Sequence, residues 1–103
     1  MRIKWRKEGR TLYAELSGEI DQHCAAEARE KLNALLADES VTRAVFDMRG
    51  VSFMDSAGIG MLLGRYKLLS SRGGGMDIIN ASRSLERILR MAGVYGLCTK
   101  EGN

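Results

Sequence analysis

Residues 44–70 read AVFDMRGVSFMDSAGIGMLLGRYKLLS, and two periodicities meet inside this stretch. Ala44-Val45-Phe46-Asp47-Met48 is short and mostly apolar, as a central strand covered on both faces would be. From Ala57 to about Ser70 the apolar residues Ile59, Leu62, Leu63, Tyr66 and Leu69 fall at steps of three and four, the stripe of a helix lying on a sheet. Arg49 to Asp55 then reads as the connecting loop. A buried strand, a loop and an amphipathic helix in that order make half of a β-α-β unit. An α/β fold with parallel strands and right-handed crossovers is therefore expected.

On the N-terminal side, Arg2 to Arg6 alternates, with Ile3 and Trp5 on one face. Thr11 to Ser17 alternates with Leu12, Ala14 and Leu16 inward. Lys7-Glu8-Gly9-Arg10 between them reads as a hairpin turn with Gly9 at positive φ. Gly18-Glu19-Ile20-Asp21 breaks the second strand, and Asp21 is placed to cap a helix of about Cys24–Ala37. Ala25, Ala28, Leu32, Leu35 and Leu36 form the inner face of that helix, and Glu27 and Lys31 make an i,i+4 pair on its wet side. On the C-terminal side, Arg72-Gly73-Gly74-Gly75 stops the second helix and Met76 to Ile79 is a further strand. Ser82 caps a third helix with Leu85, Ile88, Leu89 and Ala92 inward, ending at Gly93. Val94 to Cys98 is assigned a short last strand, and the final five residues are expected to fray. The whole is a single domain over residues 1–103 with a mixed sheet of four to five strands. It opens with an antiparallel hairpin and carries its helices mainly on one face.

Composition narrows the function. The chain has 103 residues, 45% hydrophobic and 28% charged, with 12 glycines and no proline. That is an ordinary balance for one globular core. The net charge of +3 is spread along the chain, which argues against nucleic acid as a partner. Cys24 and Cys98 match no zinc spacing and form no CxxC pair, so a metal site is not expected. Idle thiols in a reducing cytosol are the default. No run approaches the ~18 apolar residues of a membrane span, and the basic N-terminus lacks an apolar core behind it. A cytoplasmic protein with no membrane contact is expected.

Enzyme signatures are missing. His23 is the single histidine, and no GxSxG, GxGxxG or GxxxxGK[ST] occurs. His23 reads as a surface or capping residue and Asp47 as a polar strand end. The informative segment is Phe53-Met54-Asp55-Ser56-Ala57-Gly58-Ile59-Gly60. Ser56 falls at the helix N-cap, where a serine is first of all a capping group worth about 1 kcal/mol. Gly58, Gly60 and Gly64 inside the helix each cost roughly 1 kcal/mol against alanine. Something must offset that cost: close packing of helix on sheet, or a flat surface around Ser56 for a partner's backbone. A phosphate on Ser56 would meet the helix N-terminus and its free N–H groups, and would add about two negative charges beside Asp55.

Phe46-Asp47-Met48, Ser52 to Gly60 and Leu63-Gly64-Arg65-Tyr66-Lys67 together resemble the STAS domain family, and within it the anti-sigma factor antagonists of sporulation. Gly18 to His23, Gly73 to Met76 and Leu85 to Val94 extend the resemblance over nearly the whole chain. It implies a regulatory protein without catalysis or cofactor of its own. The unphosphorylated form binds an anti-sigma factor that is also a serine kinase and so frees the sigma factor. Phosphorylation of Ser56 ends the complex, and a serine phosphatase restores it. By the same resemblance the partner-binding residues are Asp21, Asp55, Ser56, Ala57, Gly58, Ile59 and Gly60. The loops after Gly18 and Met48 fall at one end of the expected sheet, so Asp21 and Ser56 are expected to share a surface. Ala57 stands where close members often have a second serine, and Cys24 where threonine is common. The pI of about 9.1 is high for the family. Three alternatives accompany this assignment: an antagonist of a stress-response anti-sigma kinase, a STAS-like subunit of a transport or lipid-trafficking complex, and a small-nucleotide-binding module. Met61 or Leu68 is expected on an exposed helix face.

Overall fold

The computed structural model describes residues 1–98. The elements are β1 (Arg2–Glu8), β2 (Thr11–Ile20), α1 (Ala25–Leu35), β3 (Arg43–Met54), α2 (Ser56–Ser71), β4 (Gly75–Ile79), α3 (Arg83–Met91) and a 3-10 turn at Tyr95–Leu97. The four strands lie in the order β1-β2-β3-β4, with β1 antiparallel to β2 and the rest parallel. The hairpin closes at Glu8 opposite Thr11. Its two-residue loop starts at Gly9, whose φ of 60° suits the first position of a type II′ turn. The connections β2-α1-β3 and β3-α2-β4 step the same way across the sheet, so both helices lie on one face and pack against each other. Beneath them Leu12, Leu16, Phe46, Met48 and Met76 are fully buried.

The helical crossovers span β2 to β4 and leave β1 as a bare edge. That explains Trp5, which shares the apolar face of β1 with Ile3 and yet is 54% exposed. The charges of β1 suit such an edge, since they discourage pairing with another sheet.

β3 is longer than expected. The segment Arg49 to Asp55, assigned to a loop, is strand as far as Met54. Glu15 faces Asp47 and Ser17 faces Gly50; Gly18 faces Val51 and Glu19 faces Phe53. At each of these two steps β3 takes one extra residue. Its buried residues therefore go Met48, Val51, Met54, in steps of three. Bulges of this kind hide the period of two by which strands are recognised. β2 likewise runs on through Gly18, whose φ is 93°, to the buried Ile20.

The helices need four corrections. In α2 the fully inward residues are Gly58, Met61, Leu62, Arg65 and Leu69, while Ile59, Leu63 and Tyr66 are half-buried. Met61 is thus a core residue, and Leu68 is half-buried. In α3, Leu85 and Leu89 are buried but Ile88 and Ala92 are exposed, because this short helix buries only one i,i+4 pair. Val94 to Cys98 forms no strand: Val94 is buried and the 3-10 turn follows, with the Cys98 N–H donating to the Tyr95 carbonyl. Asp21 does not cap α1. The N-cap is Cys24, three residues later, and no side-chain cap bond is made there. The proposed capping by Ser82 is present, with Leu85 N–H donating to Ser82 Oγ at 3.2 Å. The final five residues, read as frayed, lie outside the described residues.

The end of the molecule away from the candidate site is tied down by Arg72. Its guanidinium donates to the carbonyls of Leu36 (2.7 Å), Val41 (2.9 Å) and Asp38 (3.2 Å). The loop carbonyls after α1 therefore find a charged donor on the C-cap of α2. Gly74 lies so close to the Thr42 carbonyl that no Cβ fits there.

Candidate functional site: one rim at the strand ends

β2 and β3 are parallel, so their C-terminal ends emerge on the same side of the sheet, the side where open α/β sheets usually present their functional loops. The loop after Ile20 and the start of α2 meet there. Asp55 joins them. One carboxylate oxygen accepts from the N–H groups of Ala57 (2.9 Å) and Gly58 (3.2 Å), and the other accepts from Gln22 N–H at 3.1 Å. Asp55, with extended backbone, is the N-cap of α2.

This corrects the assignment of Ser56 as cap. Ser56 is the first residue of the helix, it is exposed, and its hydroxyl makes no hydrogen bond within the described residues. The capping work is done by the neighbouring carboxylate, which leaves the serine oxygen unengaged. Three of the N–H groups expected to meet a phosphate are already engaged: those of Ala57 and Gly58 are held by the Asp55 side chain, and that of Ile59 by the Asp55 carbonyl at 3.0 Å.

Asp21 is half-buried in the loop that Asp55 holds. Its carboxylate accepts from His23 N–H at 2.9 Å, and its carbonyl accepts from Cys24 and Ala25 N–H. The His23 N–H bond above all, with the neighbouring His23 ring and hydrogen bonding from Cys24, holds the Asp21 carboxyl below the usual carboxylate range. Asp21 is thus charged, near the surface and fixed in direction.

The glycines divide. Gly58 is buried, and a Cβ built there would lie 2.7 Å from Met54 Cγ and closer still to the Ile20 carbonyl. It is the residue that lets α2 start hard against the ends of β2 and β3. Gly60 is exposed and Gly64 half-buried, with nothing within 4 Å of a Cβ at either. Of the residues expected to bind a partner, Ser56 and Gly60 are exposed, and Asp21, Ala57 and Ile59 are half-buried. Gly58 and Asp55 chiefly build the rim. Phe53 opens the segment singled out from the sequence but was not assigned to partner binding: it precedes the buried Met54 and is 50% exposed. A strand bearing one large apolar residue outward beside a motif was the available signal.

No helix of the described residues is long and apolar enough to cross a membrane.

Comparison with known proteins places this geometry. An anti-sigma F factor antagonist of Paenibacillus polymyxa is 30% identical over 95 residues, 92% of this chain and 81% of the relative. An anti-sigma-B factor antagonist of Bacillus subtilis is 34% identical over 86 residues, 84% of this chain and 74% of the relative. The solved structure of the phosphorylated form of SpoIIAA, a Bacillus cell fate determinant, superimposes with a TM-score of 0.72 at 25% identity, covering 99% of this chain and 93% of that one. The STAS domain is matched over residues 2–99, and the chain belongs to the STAS domain family.

Proposed function

We propose that this protein is an anti-sigma factor antagonist whose switch is phosphorylation of Ser56 by the anti-sigma factor it binds. The observation that carries this reading is the division of labour at the head of α2. Asp55 caps the helix and Ser56 projects with an unbound hydroxyl, one residue into the helix, on an exposed rim. A kinase can reach that oxygen without opening the fold. The relatives named as antagonists and the phosphorylated form known for SpoIIAA support the same role.

In this account Asp21, Phe53 and Gly60 contribute to the docking rim around Ser56, and Asp55 and Gly58 hold it in shape. A phosphate on Ser56 adds about −1.5 to −2 charges. The N–H groups of Ala57, Gly58 and Ile59 are already taken by Asp55, so the new charge sits beside a fixed carboxylate at the surface. Repulsion and the cost of desolvating the phosphate then oppose docking, while the core stays intact. A serine phosphatase resets the switch. The protein needs no cofactor and performs no catalysis in this cycle.

Incubation with its organism's anti-sigma kinase and ATP, followed by mass spectrometry, tests the site. A single phosphate on Ser56, absent from Ser56→Ala, is expected. Modification elsewhere, with Ser56 untouched, contradicts it. A second reading, an antagonist of a stress-response anti-sigma kinase, draws on the 34% identity to the anti-sigma-B factor antagonist. It uses the same rim and differs in which kinase binds tighter.

A further inference from the structure

Arg65 is unlike every other cation of the described residues. It sits on the inner side of α2 and is only 9% exposed. Its Nε and Nη1 are buried and have no hydrogen-bond partner. A guanidinium cannot shed its proton under ordinary conditions, and a buried charge without a counter-charge is costly. Its surroundings worsen the position. Burial is the main influence disfavouring the charged form, and the like charge of Arg29 on the facing helix α1 adds to it. Among the described residues no carboxylate of either helix pairs with the inner guanidinium, and the charge that bears on it is the like charge of Arg29.

The site is separate from the Ser56 rim. Nine residues along a helix are two and a half turns, about 13 Å of rise and the opposite side of the axis. Nothing in the switch described above uses it.

We infer that Arg65, with Arg29 beside it, forms a receptor for one oxyanion, a carboxylate or phosphate entering at the α1–α2 face. A planar guanidinium fork suits either group, since both accept two parallel N–H bonds. A bidentate oxyanion on the edge that Nη2 shares with Nε or with Nη1 would give one of the two buried nitrogens its acceptor and relieve the repulsion between the two arginines at once. The source is a free anion or an acidic side chain of a partner protein.

Inorganic phosphate is the probe. Thermal unfolding of the full chain is followed against phosphate concentration, with sodium chloride holding ionic strength constant. The wild-type midpoint should rise by about 4 °C or more once phosphate reaches about five times its dissociation constant. Arg65→Met, which keeps the bulk and removes the charge, should show no such rise while melting no lower than wild type. Arg29→Gln, on the exposed side of α1, should show a reduced rise. An affinity measurement with the cognate kinase separates the two sources: weaker binding by Arg65→Met assigns the oxyanion to a partner carboxylate, and unchanged binding assigns it to a free anion. Equal phosphate responses in wild type and Arg65→Met overturn the inference. So does a wild type indifferent to phosphate whose Arg65→Met variant binds the kinase equally well, for then water alone satisfies the guanidinium.

Discussion

Alanine at Gly58 and alanine at Gly60 should move stability in opposite directions. Both residues lie in the first turns of α2, and on helix propensity alone each substitution should stabilise by about 1 kcal/mol. At Gly60 nothing lies within 4 Å of the new methyl group, so that gain should appear nearly whole. At Gly58 the methyl would stand 2.7 Å from Met54 Cγ, and nearer still to the Ile20 carbonyl oxygen. Met54 can give way; a strand-end carbonyl cannot move without the strand. Overpacking of this kind costs about 1–3 kcal/mol, and more when backbone must shift. The net for Gly58→Ala is a loss of about 1–2 kcal/mol, so the two variants should differ by about 2–3 kcal/mol. Urea unfolding followed by circular dichroism measures both on one scale. At roughly 4–8 °C per kcal/mol for a domain of this size, thermal midpoints should separate by 10 °C or so. The binding readout should invert the order of damage: Gly60→Ala, the more stable protein, should bind the kinase more weakly than wild type, because it places a methyl group on the docking rim. Equal stabilisation by both substitutions would refute the close approach of α2 to β2 and β3.

Two further predictions concern the carboxylates. Asp55→Ala removes the cap of α2 and the bond to Gln22 N–H together, and should destabilise by about 1–2 kcal/mol; amide exchange at Gln22 should quicken in the variant, and unchanged exchange would show that the loop does not depend on Asp55. The Asp21 and Asp38 carboxyls are held below the usual range, Asp21 chiefly by His23 N–H and Asp38 chiefly by the Ser40 hydroxyl and N–H. A depressed folded-state pKa stabilises above the unfolded value of about 3.9 and loses that contribution as pH falls through the folded one. Urea midpoints should therefore drop below about pH 4, and the drop should shrink in the Asp21→Asn, Asp38→Asn double variant.

Much of the architecture was legible because the period is clean where the core is simple. The hairpin, the buried Ala25, Ala28, Leu32 and Leu36 of the α1 face (Leu35 is half-buried), and the strand Ala44–Met48 all follow alternation or helical spacing. Legibility failed where geometry is set by neighbours. The two bulges in β3 space Met48, Val51 and Met54 by threes, so a strand looked like a loop. Trp5 lies on an edge that no crossover covers, a fact of topology rather than of local pattern. At the candidate site the stretch Phe53 to Gly60 stood out by a serine at the helix start and by its glycines, but adjacent Asp55 and Ser56 are both good capping residues. Only the hydrogen bonds show that the aspartate caps and the serine is left free. That one-residue difference turns Ser56 from a structural hydroxyl into an available one. The glycines that looked alike in sequence separate in the same way, Gly58 by contact with the strand ends and Gly60 by lack of any contact.

The central claim is that a phosphate on Ser56 changes docking and leaves the fold intact. Calorimetric titration of the cognate anti-sigma kinase with the unmodified protein and with the Ser56-phosphorylated protein, each checked for unchanged far-ultraviolet circular dichroism, addresses it directly. The account predicts at least about tenfold weaker binding of the phosphorylated form, some 1.4 kcal/mol or more, with the same folded spectrum. Equal affinities for a folded, fully phosphorylated protein would contradict it.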